Sequence, residues 1–313
     1  MLNNFIISLE AVLPMFLMMA VGMLIKKYGL LKAEEVKNLN HMVFVVFFPA
    51  MMFTNLYGSD IKAALDGKLI AFGAVAVLLE YLITLVIVLR VEKEPKSRGA
   101  MIQAIYRSNF VIMGIPIAVN MFGHGNLAVT AMMVSIIVPI YNVLAVTTLE
   151  VFRGGKPDLK NILKKLVTNP LILGAAAGII AVLADLKLPA VLETVIRDMS
   201  AVATPMALVI LGASFYFKSI GRCRRNLLIC VLGRLIVVPA LGLGAAALIG
   251  FRGIAFVTLI AIFASPTAVS SFTMAETMES DSELAGNCVV FSSAFACFTM
   301  FLWIFLFKNL GMF

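Results

Sequence analysis

The chain has 313 residues, of which 62% are hydrophobic and only 13% charged, and its mean hydropathy is +1.03. Soluble domains carry about 25% charged residues, so this is an integral membrane protein with no room for a separate soluble domain. The formal charge of +8 does not point to nucleic acid, because the Lys and Arg residues fall in short loops between apolar runs, where positive charge sets topology.

A bilayer core about 30 Å thick takes about 20 apolar residues per helix, and windows of that size recur along the chain. They predict an all-α membrane protein with ten spans, at about residues 5–25, 38–57, 68–89, 99–122, 126–150, 162–184, 195–217, 226–249, 253–275 and 284–307. The segment from Met1 to Glu10 lacks the basic region and cleavage site of a signal peptide, so the first span reads as retained.

Prolines recur inside these runs. The interval from Pro14 to Pro49 equals that from Pro170 to Pro205, Pro116 and Pro266 form a third pair at looser spacing, and Gly22 and Gly178 keep the offset. This pattern predicts an internal repeat, with helix breaks at Pro49 and Pro205 as well as in the fourth and ninth spans. Five spans per half is an odd number, so the second half enters the membrane inverted. The predicted units are residues 1–152 and 158–313, joined by a cytoplasmic linker at 153–157. One set of alternating loops holds seventeen Lys and Arg residues, including Lys26, Arg90, Arg153 and Lys218, and the opposite set, including Lys62, holds six. The positive-inside rule then puts both termini outside and the loop at Gly154 and Gly155 in the cytoplasm. The segment from Glu276 to Glu283 dissents, having no Lys or Arg.

The fourth span contains Arg107-Ser108-Asn109 ahead of Gly114-Ile115-Pro116, and the ninth contains Ser265-Pro266-Thr267 followed by Ser270-Ser271. Proline removes a backbone donor, and in lipid the freed groups need partners in the protein or in a water-filled cavity. If both helices unwind at mid-membrane and cross, free N–H groups and helix N-termini face one small volume suited to a carboxylate. The plainer alternative is that these prolines only kink helices while Ser and Thr bond to the preceding turn.

With Asn109 to Pro116, Tyr141-Asn142 and Ser265-Pro266 in place, the chain resembles the auxin efflux carrier family in its short microbial form. That family includes plant auxin exporters and bacterial permeases for malate or malonate, and the resemblance covers essentially the whole chain. It implies two inverted five-helix repeats, crossed and broken fourth and ninth helices, and passage of organic anions driven by gradients or membrane potential. It places Asn109, Gly114 and Pro116 on the crossover and Asn142 on the adjacent pocket wall. It makes the first, second, sixth and seventh spans a scaffold and homodimer contact and the other six a moving unit. Two departures stand out: the long central loop of the plant exporters is absent, and Ser265 stands where a symmetric site would have an amide. The candidate substrate-binding set is Asn109, Gly114, Ile115, Pro116, Asn142, Ser265, Pro266, Thr267, Ser270, Ser271 and Asn55, the last beside Thr54 beyond Pro49.

Three ionisable residues lie within spans: Glu80, Arg107 and Arg234. A charge at the centre of a membrane helix costs about 2.5–3.5 kcal/mol on insertion scales, so each needs a partner or water. Counted from the cytoplasmic ends, Glu80 lies about 15 Å deep and Arg107 about 12 Å. The expectation is a Glu80–Arg107 ion pair, with Glu80 either a proton carrier or half of a static pin. Arg234 either attracts the anion or balances Glu276. Cys223, Cys230, Cys288 and Cys297 lack the spacing of a zinc site, and His41 and His124 stand near span ends. No H-E-x-x-H, G-x-S-x-G or Walker loop occurs.

The sequence thus predicts a secondary transporter of small organic anions in the cytoplasmic (inner) membrane of a bacterium, in contact with lipid. It is expected not to be an enzyme and to need no cofactor or metal, and coupling to protons or sodium is left open. The alternatives are a sodium-coupled symporter resembling the bile-acid carriers and a non-transporting anion receptor.

Overall fold

Peptide groups facing lipid must find hydrogen bonds inside the protein, and a helix supplies them within one segment. The computed structural model describes residues 2–57, 66–122, 127–154, 159–215 and 219–313, and it is helical throughout, with no strand among them beyond one isolated β-bridge. Lys62, His124, Gly155, Lys156, Lys218, most of the 153–157 linker and the side chain of Ile115 lie outside the described residues.

In the first half α1 (Leu2–Lys27) is followed by α2 (Ala33–Met42), which passes through a π turn (Val43–Phe47) into α3 (Phe48–Tyr57). Next come α4 (Gly67–Val91), α5 (Pro95–Tyr106), α6 (Phe110–Phe122) and α7 (Leu127–Val151). In the second half α8 (Leu159–Val167) and α9 (Pro170–Leu183) precede α10 (Ala190–Ser214). The chain then runs through α11 (Ser219–Leu232), a second π turn (Gly233–Val237), α12 (Val238–Ile249), α13 (Gly253–Ala264), α14 (Ser270–Thr277) and α15 (Ser282–Asn309). Among the described residues six of these helical stretches are long and apolar enough to cross a membrane. The shorter apolar helices include α9 and α13.

Helix starts follow local chemistry. Asp66 accepts from the N–H groups of Lys68 and Leu69 to open α4, Asn169 caps α9 ahead of Pro170, and Asp281 accepts from Leu284 N–H to open α15. The prolines break less than the sequence suggests. Pro14, Pro116 and Pro205 lie inside α1, α6 and α10, so the expected break at Pro205 is absent. Pro49 follows a π turn in an otherwise continuous helix, and the second π turn is likewise followed by a proline, Pro239. Each turn closes with a longer bond, from Phe48 N–H to the Val43 carbonyl and from Val238 N–H to that of Gly233. Pro239 has no N–H for the carbonyl of Leu235, and the indole of Trp303 donates to that oxygen at 3.0 Å.

Two packing groups result. In one, α1 lies along α10 and α3 along α9, with α10 also against α3. Glycine makes the approach possible: a Cβ on Gly22 would stand 1.9 Å from the Val209 carbonyl oxygen, and one on Gly212 would stand 2.0 Å from that of Met19. The other group holds α4 to α7 and α11 to α15. The groups meet where α1 touches α6 and α15, α2 touches α14, and α3 touches α7. There the Asn40 amide donates to the Thr273 carbonyl and the Thr277 hydroxyl, each at 3.1 Å. Large apolar side chains such as Leu17, Leu82, Leu183 and Leu248 point outward, while Arg107, Asn109, Asn142 and Arg234 are buried. That inversion of the soluble pattern suits lipid as the outer solvent.

Candidate functional site

Two interrupted helices meet at the core. Between α5 and α6, Arg107 to Asn109 leave helical conformation, and between α13 and α14 the chain is extended at Ser265. The two breaks satisfy one another. Asn109 N–H donates to the Pro266 carbonyl at 2.7 Å, Ala268 N–H to the Arg107 carbonyl at 3.2 Å, and Ser108 and Thr267 form the antiparallel bridge. The first break therefore lies at Arg107 to Asn109, upstream of Pro116, because the opposing segment supplies main-chain partners there.

Several predicted ligands are used in building this junction. Thr267 N–H donates to the Ser292 hydroxyl and its own hydroxyl to the Ala104 carbonyl, while the Ser265 hydroxyl bonds back to the Ala261 carbonyl. Gly114 packs α6: a Cβ there would stand 2.7 Å from the Phe110 ring and 3.4 Å from Ala261. Pro116 is exposed and Ser270 half-buried. Thr54 bonds to the Ala50 carbonyl of its own helix, and the Asn55 carbonyl accepts from Ser135.

What remains is rich in donors. The Arg107 side chain is 3% exposed. It donates to Gln103 Oε1 at 3.2 Å, to Met274 Sδ at 2.7 Å and to Asn142 Oδ1. None of these acceptors is charged, and no carboxylate pairs with Arg107 among the described residues. On the elements that meet here, Asn109 Nδ2, Gln103 Nε2 and Ser271 Oγ are buried without partners, as is Asn55 Nδ2 on α3. Asn142 reaches on to Met52 Sδ of α3 at 2.8 Å, so the junction touches the other packing group. Its neighbour Tyr141 accepts from the Ser108 hydroxyl at 3.3 Å. A buried cation held only by neutral groups is costly, and an arriving anion would relieve that cost.

The expected Glu80–Arg107 pair does not form. Glu80 Oε1 lies 3.1 Å from Arg234 Nη1, and Arg234 also reaches main-chain carbonyls of α5 and α13. Depth along the helices was compatible with either arginine; the side of α4 that Glu80 occupies faces the second π turn. Gln103, four residues before Arg107 in the last turn of α5, was the readable signal that sequence reasoning passed over. Arg234 does not face Glu276, which lines a separate cavity of about 340 Å³ with Lys26, Lys37, Glu283 and Asn287. A second cavity, of about 450 Å³, is apolar apart from Glu80 and Thr84 and lies between α4 and the α11–α12 stretch.

Comparison with known proteins identifies a family for this chain. A family described as membrane transport protein matches the chain over residues 7–154 and 156–304. An "uncharacterized transporter" of Methanothermobacter thermautotrophicus is 22% identical over 299 residues, covering 95% of this chain and 97% of that protein. Another of that description, from Methanocaldococcus jannaschii, is 26% identical over 310 residues, covering 95% and 98%. The chain is a multi-pass membrane protein and belongs to the membrane transport protein family, that of the auxin efflux carriers.

Proposed function

We propose that this protein is a secondary transporter of small organic anions, carboxylates such as malate, malonate or auxin-like acids, and that the anion binds beside the bridged breaks. The observation that carries this reading is the buried guanidinium of Arg107, which has no counter-ion among the described residues, together with the unpartnered amide nitrogens of Asn109 and Gln103 and the unpartnered hydroxyl of Ser271 on the elements that meet at the breaks. The N-terminus of α6, which begins at Phe110 directly after the break, adds partial positive charge. The main-chain N–H groups of Asn109, Thr267 and Ala268 are excluded as ligands, since each already has an acceptor. Arg107 takes the carboxylate in their place, exchanging its neutral amide acceptors for a charged one.

The protein works by alternating access, with ten spans arranged as inverted repeats over residues 1–152 and 158–313 and crossed fourth and ninth spans. Support comes from a pair of contacts. Gly22 approaches Val209, and Gly178 approaches Phe53. The interval that separates Gly22 from Gly178 also separates Phe53 from Val209, as it does Pro14 from Pro170. Such reciprocal contact is the mark of a two-fold axis relating the halves. The group of α1 to α3 with α8 to α10 is the scaffold and dimer contact, and the rest moves against it. Both termini face outward from the cytoplasmic membrane.

The test is counterflow into proteoliposomes with labelled malate, malonate and indole-acetate, comparing the wild type with Arg107→Gln and Asn109→Ala. Uptake of one acid, with affinity at least about tenfold weaker in Arg107→Gln, is expected. Background uptake of all three by folded, inserted wild-type protein overturns the carboxylate assignment.

A further inference from the structure

A helix that ends inside a membrane leaves its last carbonyls unpaired and carries partial negative charge at that end. Here α5 and α13 both end at the junction, and one side chain serves both. Arg234 is fully buried. It donates through Nη1 to the carbonyls of Ile105 and Tyr106 at 3.1 Å each, which are the last residues of α5. Through Nη2 it reaches the carbonyls of Ile262, at 3.0 Å, and Phe263, and through Nε that of Ser265 at 2.8 Å, all at the end of α13. Glu80 Oε1 completes the shell at 3.1 Å.

Five main-chain carbonyls and one carboxylate are shared among the three nitrogens of one guanidinium, and such an all-oxygen surrounding is the kind of donor set that hard cations also take. The chain supplies the cation here from its own side chain, as the guanidinium of Arg234. Local structure is arranged to deliver it. The π turn at Gly233–Val237 carries Arg234, and Gly233 allows the approach to α5, since a Cβ there would already stand 3.3 Å from Ile105. Trp303 then settles the Leu235 carbonyl that Pro239 leaves free.

We infer that Arg234 is a tethered cation that clamps the two broken helices at their negative ends and takes the place of an inorganic cation, so the junction assembles without sodium. Arg234 is a positioning residue: it faces the helix C-termini, whereas the proposed anion site uses Arg107 at the break and the N-terminus of α6. The inference stands whether or not the transported solute is a carboxylate.

Thermal unfolding of purified, detergent-solubilised protein tests it without any transported substrate. The midpoint is measured in sodium chloride and in choline chloride at equal ionic strength, for wild type, Arg234→Ala and Arg234→Lys, with and without methylguanidinium chloride. The wild type should melt at the same temperature in both salts. Arg234→Ala should melt several degrees lower and regain much of the loss in methylguanidinium, whose cation refills the vacated space, while Arg234→Lys should fall between. A saturable, sodium-specific rise in the wild-type midpoint overturns the inference. So does an Arg234→Ala protein as stable as the wild type, or one that methylguanidinium leaves unmoved. Should Arg234→Ala not yield folded protein, the wild-type salt comparison and Arg234→Lys decide it: a lysine variant as stable as the wild type overturns the clamp, and a lower midpoint with sodium indifference in the wild type supports it.

Discussion

Arg107 and Arg234 are two buried arginines with opposite energetic situations. Arg234 has a carboxylate and five carbonyls, whereas Arg107 has two neutral side-chain oxygens and a thioether. Removing a buried charge that lacks a partner does not destabilise as breaking a complete pair does. Arg107→Gln should therefore melt no lower than the wild type without substrate, while losing the stabilisation that saturating substrate gives the wild type. A calorimetric or fluorescence melt with and without the transported acid checks both halves of that statement. Trp303 offers a simpler case. Trp303→Phe keeps most of the apolar ring but strands the Leu235 carbonyl, so it should cost about 1–3 kcal/mol, read as a lower unfolding midpoint.

Among the elements, α6 carries a proline that does not break it and starts at a break that has no proline. Pro116→Ala should leave anion affinity within about twofold of wild type, since the bridge from Arg107 to Ala268 does not involve it. Asn109→Ala should weaken binding, because its buried Nδ2 is one of the unpartnered donors. Titration with labelled acid distinguishes the two. The turn from α4 to α5 reports on pH. Burial of Glu92 raises its carboxyl, but donation from the N–H of Glu94, the Asn226 amide and the N–H of Lys93, with the charge of Arg225, outweighs this and holds the group below the usual carboxylate range. A depressed folded value means its stabilisation is present above the ordinary carboxylate range and is lost as pH falls through the lowered value. The stability gap between wild type and Glu92→Gln should be small, as the group is largely solvated, and should close on acidification in paired melts at pH 7 and below pH 4.

For the whole molecule, the proposed cycle requires the two packing groups to slide past each other. Asn40 on α2 and Thr277 on α14 touch across their boundary at 3.1 Å. Cysteines at both positions, in a background without the four native cysteines, should cross-link with a short bifunctional thiol reagent. The cross-linked protein should bind the acid yet show no counterflow, and reduction of the link should restore it. The close approach of α1 to α10 belongs to the scaffold, so Gly212→Val, which drives side-chain atoms into the Met19 carbonyl, should lower the yield of folded protein.

Composition alone determined that this chain lives in lipid, and the periodicity of apolar windows located its helical stretches, because both follow from local transfer free energy summed over neighbouring residues. The break at Ser265 was legible, since Ser and Pro together weaken the helix there, whereas in the fourth span the sequence pointed to Gly114-Ile115-Pro116 and the helix stops earlier, at Arg107 to Asn109. Sequence could not decide which arginine Glu80 would meet. Both lie at compatible depths, and the choice depends on the rotation of α4 against its neighbours, a property of packing between segments more than 150 residues apart. Nor could it tell that the hydroxyls of Ser265 and Thr267 would be consumed by main-chain carbonyls while Ser271 Oγ and Asn109 Nδ2 stayed unpartnered. Those assignments depend on angstrom-scale approach between two breaks, and only the tertiary structure sets that distance.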